Sequence, residues 1–314
     1  MCRTANGWDI NGFGQLKDGR GNICPVTIIL PTLAMEADCD VEKFMRLLGR
    51  KIEEAKNMLI ERFNWICSQG PEAARFMYEN NVMAGYIPEE GIRSALKHGT
   101  LAIGQLGLAE TLQLLIGTDH TTEEGMKLAK RIESLYKKRC AEYKEKYKLN
   151  FGCYFSPAET ASHTTLLKFR EKYGVIPNVS DKEFFTNSIH VPVWKEIDPF
   201  EKIDIESQLT GYSSAGCITY VELPSSTVHN IDALETLVTY AMDHDVPYFA
   251  INVPNDTCND CGYQGEIKNH CPKCNSLNIS RLARVTGYLT GDYKTAFNKG
   301  KQDEVEHRVK HVKN

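Results

Sequence analysis

The chain has 314 residues, 42% hydrophobic and 25% charged, which is ordinary for a folded globular protein and long enough for about two domains. Its 37 Lys and Arg against 41 Asp and Glu give a net charge of -4, which argues against a nucleic-acid binder that works by bulk electrostatics. No apolar run approaches the ~20 residues of a membrane span, and the opening Met1-Cys2-Arg3-Thr4-Ala5-Asn6-Gly7 has no apolar stretch to act as a secretory signal. The cysteines are therefore expected as reduced thiols of a cytoplasmic protein, where close pairs read as metal ligands or redox groups.

In chain order, the start is polar and glycine-rich, with Gly7, Gly12, Gly14, Gly19 and Gly21. The β-branched run Val26-Thr27-Ile28-Ile29-Leu30 reads as a buried strand stopped by Pro31. From Val41 to Ile66, Phe44, Leu48, Ile52, Ala55, Leu59 and Phe63 recur at helical spacing, with Asp40 placed to cap. Residues 89–116 read as a second helical stretch, interrupted by Gly99, Gly104 and Gly107, which allow close packing. Thr121 and Glu124 fit a capping box for a third helix that runs towards Tyr147.

Strand-like runs then appear at Phe151–Phe155, Cys217–Leu223 and Pro247–Val253, with a helix from about Ile231 to Met242 between the last two. Strands joined by long helical crossovers predict an α/β architecture with parallel pairing, and a composition shift near Pro254 marks the one boundary. The tail from Lys294 mixes both charges and reads as a solvated helix face. Cys24, Cys39, Cys67, Cys140, Cys153 and Cys217 read as small apolar groups, and His98, His120 and His163 show no ligand spacing.

Two signals close the chain. Cys258-x2-Cys261-x9-Cys271-x2-Cys274 supplies two close thiolate pairs around Gly262, Gly265 and Pro272. Two vicinal redox pairs and an iron–sulfur cluster are the alternatives, but the spacing favours structural Zn²⁺, held tetrahedrally with no open position for chemistry. The knuckle's Lys268, His270 and Lys273 are offset by Asp256, Asp260 and Glu266, too balanced for nucleic acid. After it comes Arg284-Val285-Thr286-Gly287-Tyr288-Leu289. A glycine Cα can host a radical, because loss of hydrogen leaves a planar centre delocalised onto the flanking amides and no side chain blocks approach.

The quartet followed by Arg284-Val285-Thr286-Gly287-Tyr288 resembles the C-terminus of the anaerobic (class III) ribonucleoside-triphosphate reductases, a glycyl radical enzyme family. Asp18-Gly19-Arg20-Gly21-Asn22, Ser156-Pro157-Ala158-Glu159, Thr186 to Val193, Gly216 to Glu222 and Tyr248 to Asn252 are similar to blocks of that family in the same order. The resemblance implies the C-terminal half of a ten-stranded α/β barrel, a fragment or a split subunit. Residues 1–253 would form the partial barrel, with the finger-loop cysteine at its start. Residues 254–314 would form the zinc knuckle, the radical loop and a tail.

Further implications attach to particular residues. Gly287 would carry the radical, installed by an activating enzyme with S-adenosylmethionine and an iron–sulfur cluster, and Cys2 would be the thiyl position. Asn22, Ser156, Glu159, Asn187, Ser188 and His190 would be the polar groups facing a ribonucleoside triphosphate, with formate or a thiol as reductant. An N-terminal half and a second copy are the expected partners, because half a barrel leaves strand edges unpaired. The rivals are a non-catalytic zinc-ribbon interaction module and another glycyl radical enzyme of the formate-lyase type, which lacks the four-cysteine knuckle.

Overall fold

A computed structural model describes residues 4–285, 288–290 and 292–312. The chain divides into two units. One holds the residues up to Ser156 with Gly211–Cys217, and the other holds Pro157–Thr210 with the residues from Ile218 onward.

In the first unit, strand β1 (Asn22–Ile29) runs directly into helix α1 (Leu30–Glu36) and then α2 (Val41–Cys67). Pro31 was expected only to stop the strand. It also starts the helix, since its fixed φ suits a first turn and its missing N–H is not needed there. Asp40 caps α2, its Oδ1 accepting from Lys43 N at 2.6 Å. The six apolar residues predicted for the inner stripe, Phe44 to Phe63, are all buried. The short helices α3 (Arg75–Glu79) and α4 (Arg93–Leu96) lead to strand β2 (Thr100–Leu106), followed by α5 (Leu108–Ile116), α6 (Glu123–Tyr147) and strand β3 (Asn150–Phe155).

Strand β2 corrects the expectation of one glycine-broken helix over 89–116. It is the centre of a parallel sheet ordered β1-β2-β3 and is buried at every residue. A central parallel strand needs apolar cover on both faces, so its sequence carries no alternation. Gly104 marks a close approach: a Cβ there would lie 2.0 Å from Ser156 Oγ and 3.0 Å from Thr27 Oγ1. The cap of α6 is Thr122, accepting from Gly125 N at 3.1 Å, and not Thr121, whose hydroxyl bonds Asp119 Oδ1 at 2.6 Å.

The sheet has two unlike faces. Leu101, Ile103, Phe151, Cys153 and Phe155 are buried on the side that meets α2 and α6. The other side carries Thr100, Ala102, Gly104, Gly152 and Tyr154, mostly small, and there Ala102 and Tyr154 cluster with Ala215.

The second unit contains α7 (Ala161–Tyr173), α8 (Pro199–Thr210) and strand β4 (Thr219–Glu222), joined through α9 (Ile231–Asp243) to a parallel partner β5 (Phe249–Asn252). Its core packs Ile203, Val221, Leu223, Leu237, Ala241 and Val246 together. Strands β6 (Asp256–Cys258), β7 (Gln264–Gly265) and β8 (Ile279–Ser280) form a small antiparallel sheet ordered β7-β6-β8. Next come the antiparallel pair β9 (Ala283–Val285) and β10 (Tyr288–Thr290), then α10 (Tyr293–Ala296) and α11 (Lys299–His307).

The tail is not the solvated face expected of it. Lys301 and Glu304 are buried and paired at 2.6 Å, and the side chain of half-buried Arg308, 7% exposed, lies beside Glu222 and Glu304.

Candidate functional site

The cysteine quartet is assembled by the small β-sheet. Cys258 ends β6, Cys261 follows on the turn, and Cys271 and Cys274 sit on the second knuckle. All four sulfurs lie within 4.8 Å of one another, with Cys258–Cys274 and Cys261–Cys271 both at 3.5 Å. A tetrahedron with Zn–S of about 2.3 Å has S–S edges of roughly 3.8 Å, so the donor set fits the ion. Buried Ile267 packs beside Cys258 and Cys271. Asp256 accepts from Ile267 N at 3.0 Å, which fixes the knuckle's base to β6.

Gly287 and Cys2 both lie outside the described residues. The segments beside them are described. Val285 pairs with Tyr288 across β9 and β10, the strands on either side of Gly287 in sequence. Arg308 Nη1 donates to Arg284 O at 2.6 Å.

After Cys2, residues 4–20 turn around one buried carboxylate. Asp9 accepts from Asn11 N and Phe13 N at 3.0 Å each and from Asn150 Nδ2 at 2.6 Å, and it meets His98 Nδ1 at 2.7 Å. Burial alone would raise its pKa, but the bonds from Asn150 and His98 outweigh it and hold Asp9 ionised, well below the usual carboxylate range. Phe13 stacks on the His98 ring at 3.8 Å.

The first unit also holds two of the sequence-predicted polar groups. Asn22 donates to Ala215 O at 2.8 Å. Ser156, buried just past β3, shares a 2.7 Å hydrogen bond with Thr27 that passes over Gly104.

In the second unit, Glu159 follows Ala158, and both hold positive φ (31° and 52°), a strained loop for non-glycine residues. Asn187, with its amide oriented to suit its neighbours, donates to Pro157 O at 2.5 Å and accepts from Lys301 Nζ at 3.1 Å. This brings the Pro157–Glu159 loop and the Asn187–Ser188 segment together. Ser188 is buried, also at positive φ. His190 Nδ1 lies 3.3 Å from Glu206 Oε2, with Tyr220 against its ring at 4.6 Å. Glu206 also pairs with buried Lys202; burial works to raise its pKa, but Lys202 and His190 together depress it below the usual carboxylate range.

The second unit has a cavity of about 280 Å³ lined by Glu222, Asn252, Arg281, Arg284 and Arg308, and another of about 400 Å³ lined by Phe200, Leu223, Leu237 and His311. None of the six predicted polar groups lines either one. Asp9, His98, Glu206, Glu222, Lys301, Glu304 and Arg308 were not anticipated from sequence. Asp9 meets His98 and Asn150, and Arg308 meets Glu222, across long stretches of chain, whereas Lys202–Glu206 and Lys301–Glu304 are pairs at helical spacing that read like any surface pair until their burial is known.

Fold and site together define a class: an α/β protein of parallel strands whose C-terminal region carries a four-thiolate knuckle ahead of a short antiparallel strand pair. The comparisons give the family. The profile for "Anaerobic ribonucleoside-triphosphate reductase" matches residues 1–311, and the chain belongs to that family.

The enzyme of that name from Escherichia coli K12 is 32% identical over 327 residues, covering 100% of this chain and 46% of the relative. That of Enterobacteria phage T4 is 29% identical over 326 residues, covering 99% of this chain and 52% of the relative. The chain thus spans about half the length of the curated relatives it matches. A solved "Anaerobic ribonucleotide reductase" shares the fold at TM-score 0.77 and 24% identity, over 94% of this chain and 46% of that one. The Thermotoga maritima enzyme with glycerol in its active site aligns at TM-score 0.73, 24% identity and the same two coverages.

Proposed function

We propose that this chain supplies the radical-bearing C-terminal portion of an anaerobic reductase that converts ribonucleoside triphosphates to deoxyribonucleoside triphosphates. The observation that carries the reading is the family match over residues 1–311, combined with a zinc-compatible thiolate cluster ahead of the strands that flank Gly287. In this reading the parallel strands belong to a ten-stranded barrel. Residues 1–253 form its partial wall, and residues 254–314 form the knuckle, radical loop and tail.

Gly287 gives up a Cα hydrogen atom to an activating enzyme that uses S-adenosylmethionine and an iron–sulfur cluster. The Cys2 thiol passes its hydrogen atom to that radical and, as a thiyl, takes the ribose 3′-hydrogen. The 2′-hydroxyl then leaves as water, and formate or a thiol supplies the two electrons that complete the deoxyribose. Asn22, Ser156, Glu159, Asn187, Ser188 and His190 are the polar groups assigned to the substrate side. Four cysteine thiolates would hold Zn²⁺, whose contribution is structural. An N-terminal half and a second copy are the assigned partners.

Activation under anaerobic conditions with the cognate activating enzyme, followed by electron paramagnetic resonance, tests the reading. A glycyl doublet that disappears in Gly287→Ala is expected. No doublet in the native polypeptide refutes the radical assignment and leaves the zinc-ribbon interaction module as the better account.

A further inference from the structure

We infer that Arg308 is a positioning residue that fastens the strand entering the Gly287 segment to the carboxyl end of β4; its bearing on catalysis rests on the function proposed above. Three of its contacts converge on one guanidinium. Nη1 donates to the backbone oxygen of Arg284 in β9 at 2.6 Å and lies 2.8 Å from Glu222 Oε1 at the end of β4. Nη2 reaches Glu304 Oε1 of α11 at 3.3 Å. A planar fork with donors on two sides can do this, whereas a lysine ammonium is a single point charge.

Glu222 is itself immobilised. Asn252 Nδ2, its register partner on β5, donates to Oε1 at 2.8 Å. The Glu222 backbone is bound on both sides by His311, which accepts from Glu222 N through Nδ1 at 2.9 Å and donates its own N–H to Glu222 O at 2.7 Å. Val309 N, next to Arg308, donates to Val193 O at 3.0 Å. The residues after α11 are therefore tied to β4 and to Val193, and the Arg308 guanidinium carries that hold across to β9.

β9 and β10 are three residues each, so their mutual hydrogen bonds alone give little hold. An external donor on Arg284 O, three residues before Gly287, limits how far this strand can swing. Side chains and backbone reach this point from β4, β5, β9 and α11. The knuckle holds the chain at a separate point upstream, where Arg281 donates to Ile267 O and, at 2.7 Å, to Lys268 O, so the Arg308 fastening is a second anchor nearer Gly287.

Hydrogen exchange by mass spectrometry on the full native polypeptide tests this without needing the radical. In Arg308→Gln, the peptide over residues 282–290 should exchange at least tenfold faster, with peptides from α9 and from 258–274 unchanged. Glu222→Gln, which keeps shape and removes the charge that seats the fork, should loosen the same peptide. It stands in if Arg308→Gln fails to fold. Arg308→Lys should fall between Gln and the native residue. Unchanged exchange at 282–290 in a folded variant, or acceleration spread evenly over the second unit, overturns the inference.

In protein that gives a glycyl doublet, turnover per spin in Arg308→Gln should drop at least tenfold; an unchanged value overturns the catalytic half. Absence of the doublet in the native polypeptide sinks the radical assignment, while the exchange result still decides the fastening.

Discussion

Gly104→Ala tests the central claim about the first sheet, that the Thr27–Ser156 bond occupies the space a side chain would fill. An added Cβ would lie 2.0 Å from Ser156 Oγ, 3.0 Å from Thr27 Oγ1 and 3.2 Å from Tyr154 O. The hydroxyl must swing away, because the backbone oxygen is held in the β2–β3 ladder. That breaks a 2.7 Å bond between buried Ser156 and half-buried Thr27 and leaves polar atoms without that partner, at about 1–3 kcal/mol. Residual overpacking adds roughly 1–3 kcal/mol, and alanine's smaller unfolded-state entropy returns about 0.5–1 kcal/mol. A net loss of about 1–5 kcal/mol follows. Ser156→Ala alone should cost about 1–2 kcal/mol by orphaning Thr27 Oγ1. The double variant removes the clash with the bond, so it should cost less than the sum of the singles by at least about 1 kcal/mol. Urea unfolding of the four proteins gives the cycle. Additivity within about 0.5 kcal/mol would refute the reasoning.

Three more outcomes follow from the same structure. Glu133 on α6 is fully buried beside Gln105 and Cys153, and burial pushes its carboxyl up to about 8 from 4.5. Its folded pKa is raised, so its full contribution is present below about pH 4.5 and is lost as pH climbs to 8; 3.5 pH units at 1.36 kcal/mol each set a ceiling of roughly 5 kcal/mol. Glu133→Gln should flatten the Tm profile between pH 5 and 8, and parallel profiles for both proteins would contradict the burial argument.

Asp9→Asn should destabilise by about 3–5 kcal/mol by removing the charge from a buried hub. Proteolysis within residues 4–20 should quicken, and a native-like digestion rate would count against the hub. Metal analysis should find one zinc per chain, lost in Cys258→Ser. The bound fraction should fall as acid protonates the thiolates, and zinc retained in that variant would mean another donor set.

What was legible in the sequence was local. α2 could be read because its apolar stripe repeats without a break over 27 residues, and the cysteine quartet because its spacing is itself the ligand geometry. β2 could not. A strand buried on both faces loses its period of two, and with glycines at 99, 104 and 107 it imitates a broken helix. The tail misled for a related reason. Lys301, Glu304 and Arg308 look like a solvated charged face until their partners are known, and Glu222 stands 86 residues from Arg308 in the chain (308 − 222). Asp9 and His98, 89 residues apart, leave no pattern either.

Those two hubs share a logic. Residues 4–20 are rich in glycine and contain no regular element, so they cannot bury enough apolar surface to hold one shape. β9 and β10 are too short to do so. Each segment is fixed through a buried carboxylate whose bonds come from distant parts of its own unit, Asp9 in the first and Glu222 in the second. Buried ion pairs roughly break even in stability against apolar packing, so their presence here is better explained by geometry than by energy. A carboxylate with several aligned donors fixes direction as well as distance, because each charge-assisted hydrogen bond weakens steeply when its angle opens. Radical transfer between a backbone carbon and a sulfur depends on distance in the same unforgiving way. The positions proposed for that transfer adjoin these two segments, one gathered on Asp9 and the other tied through Arg308 to Glu222.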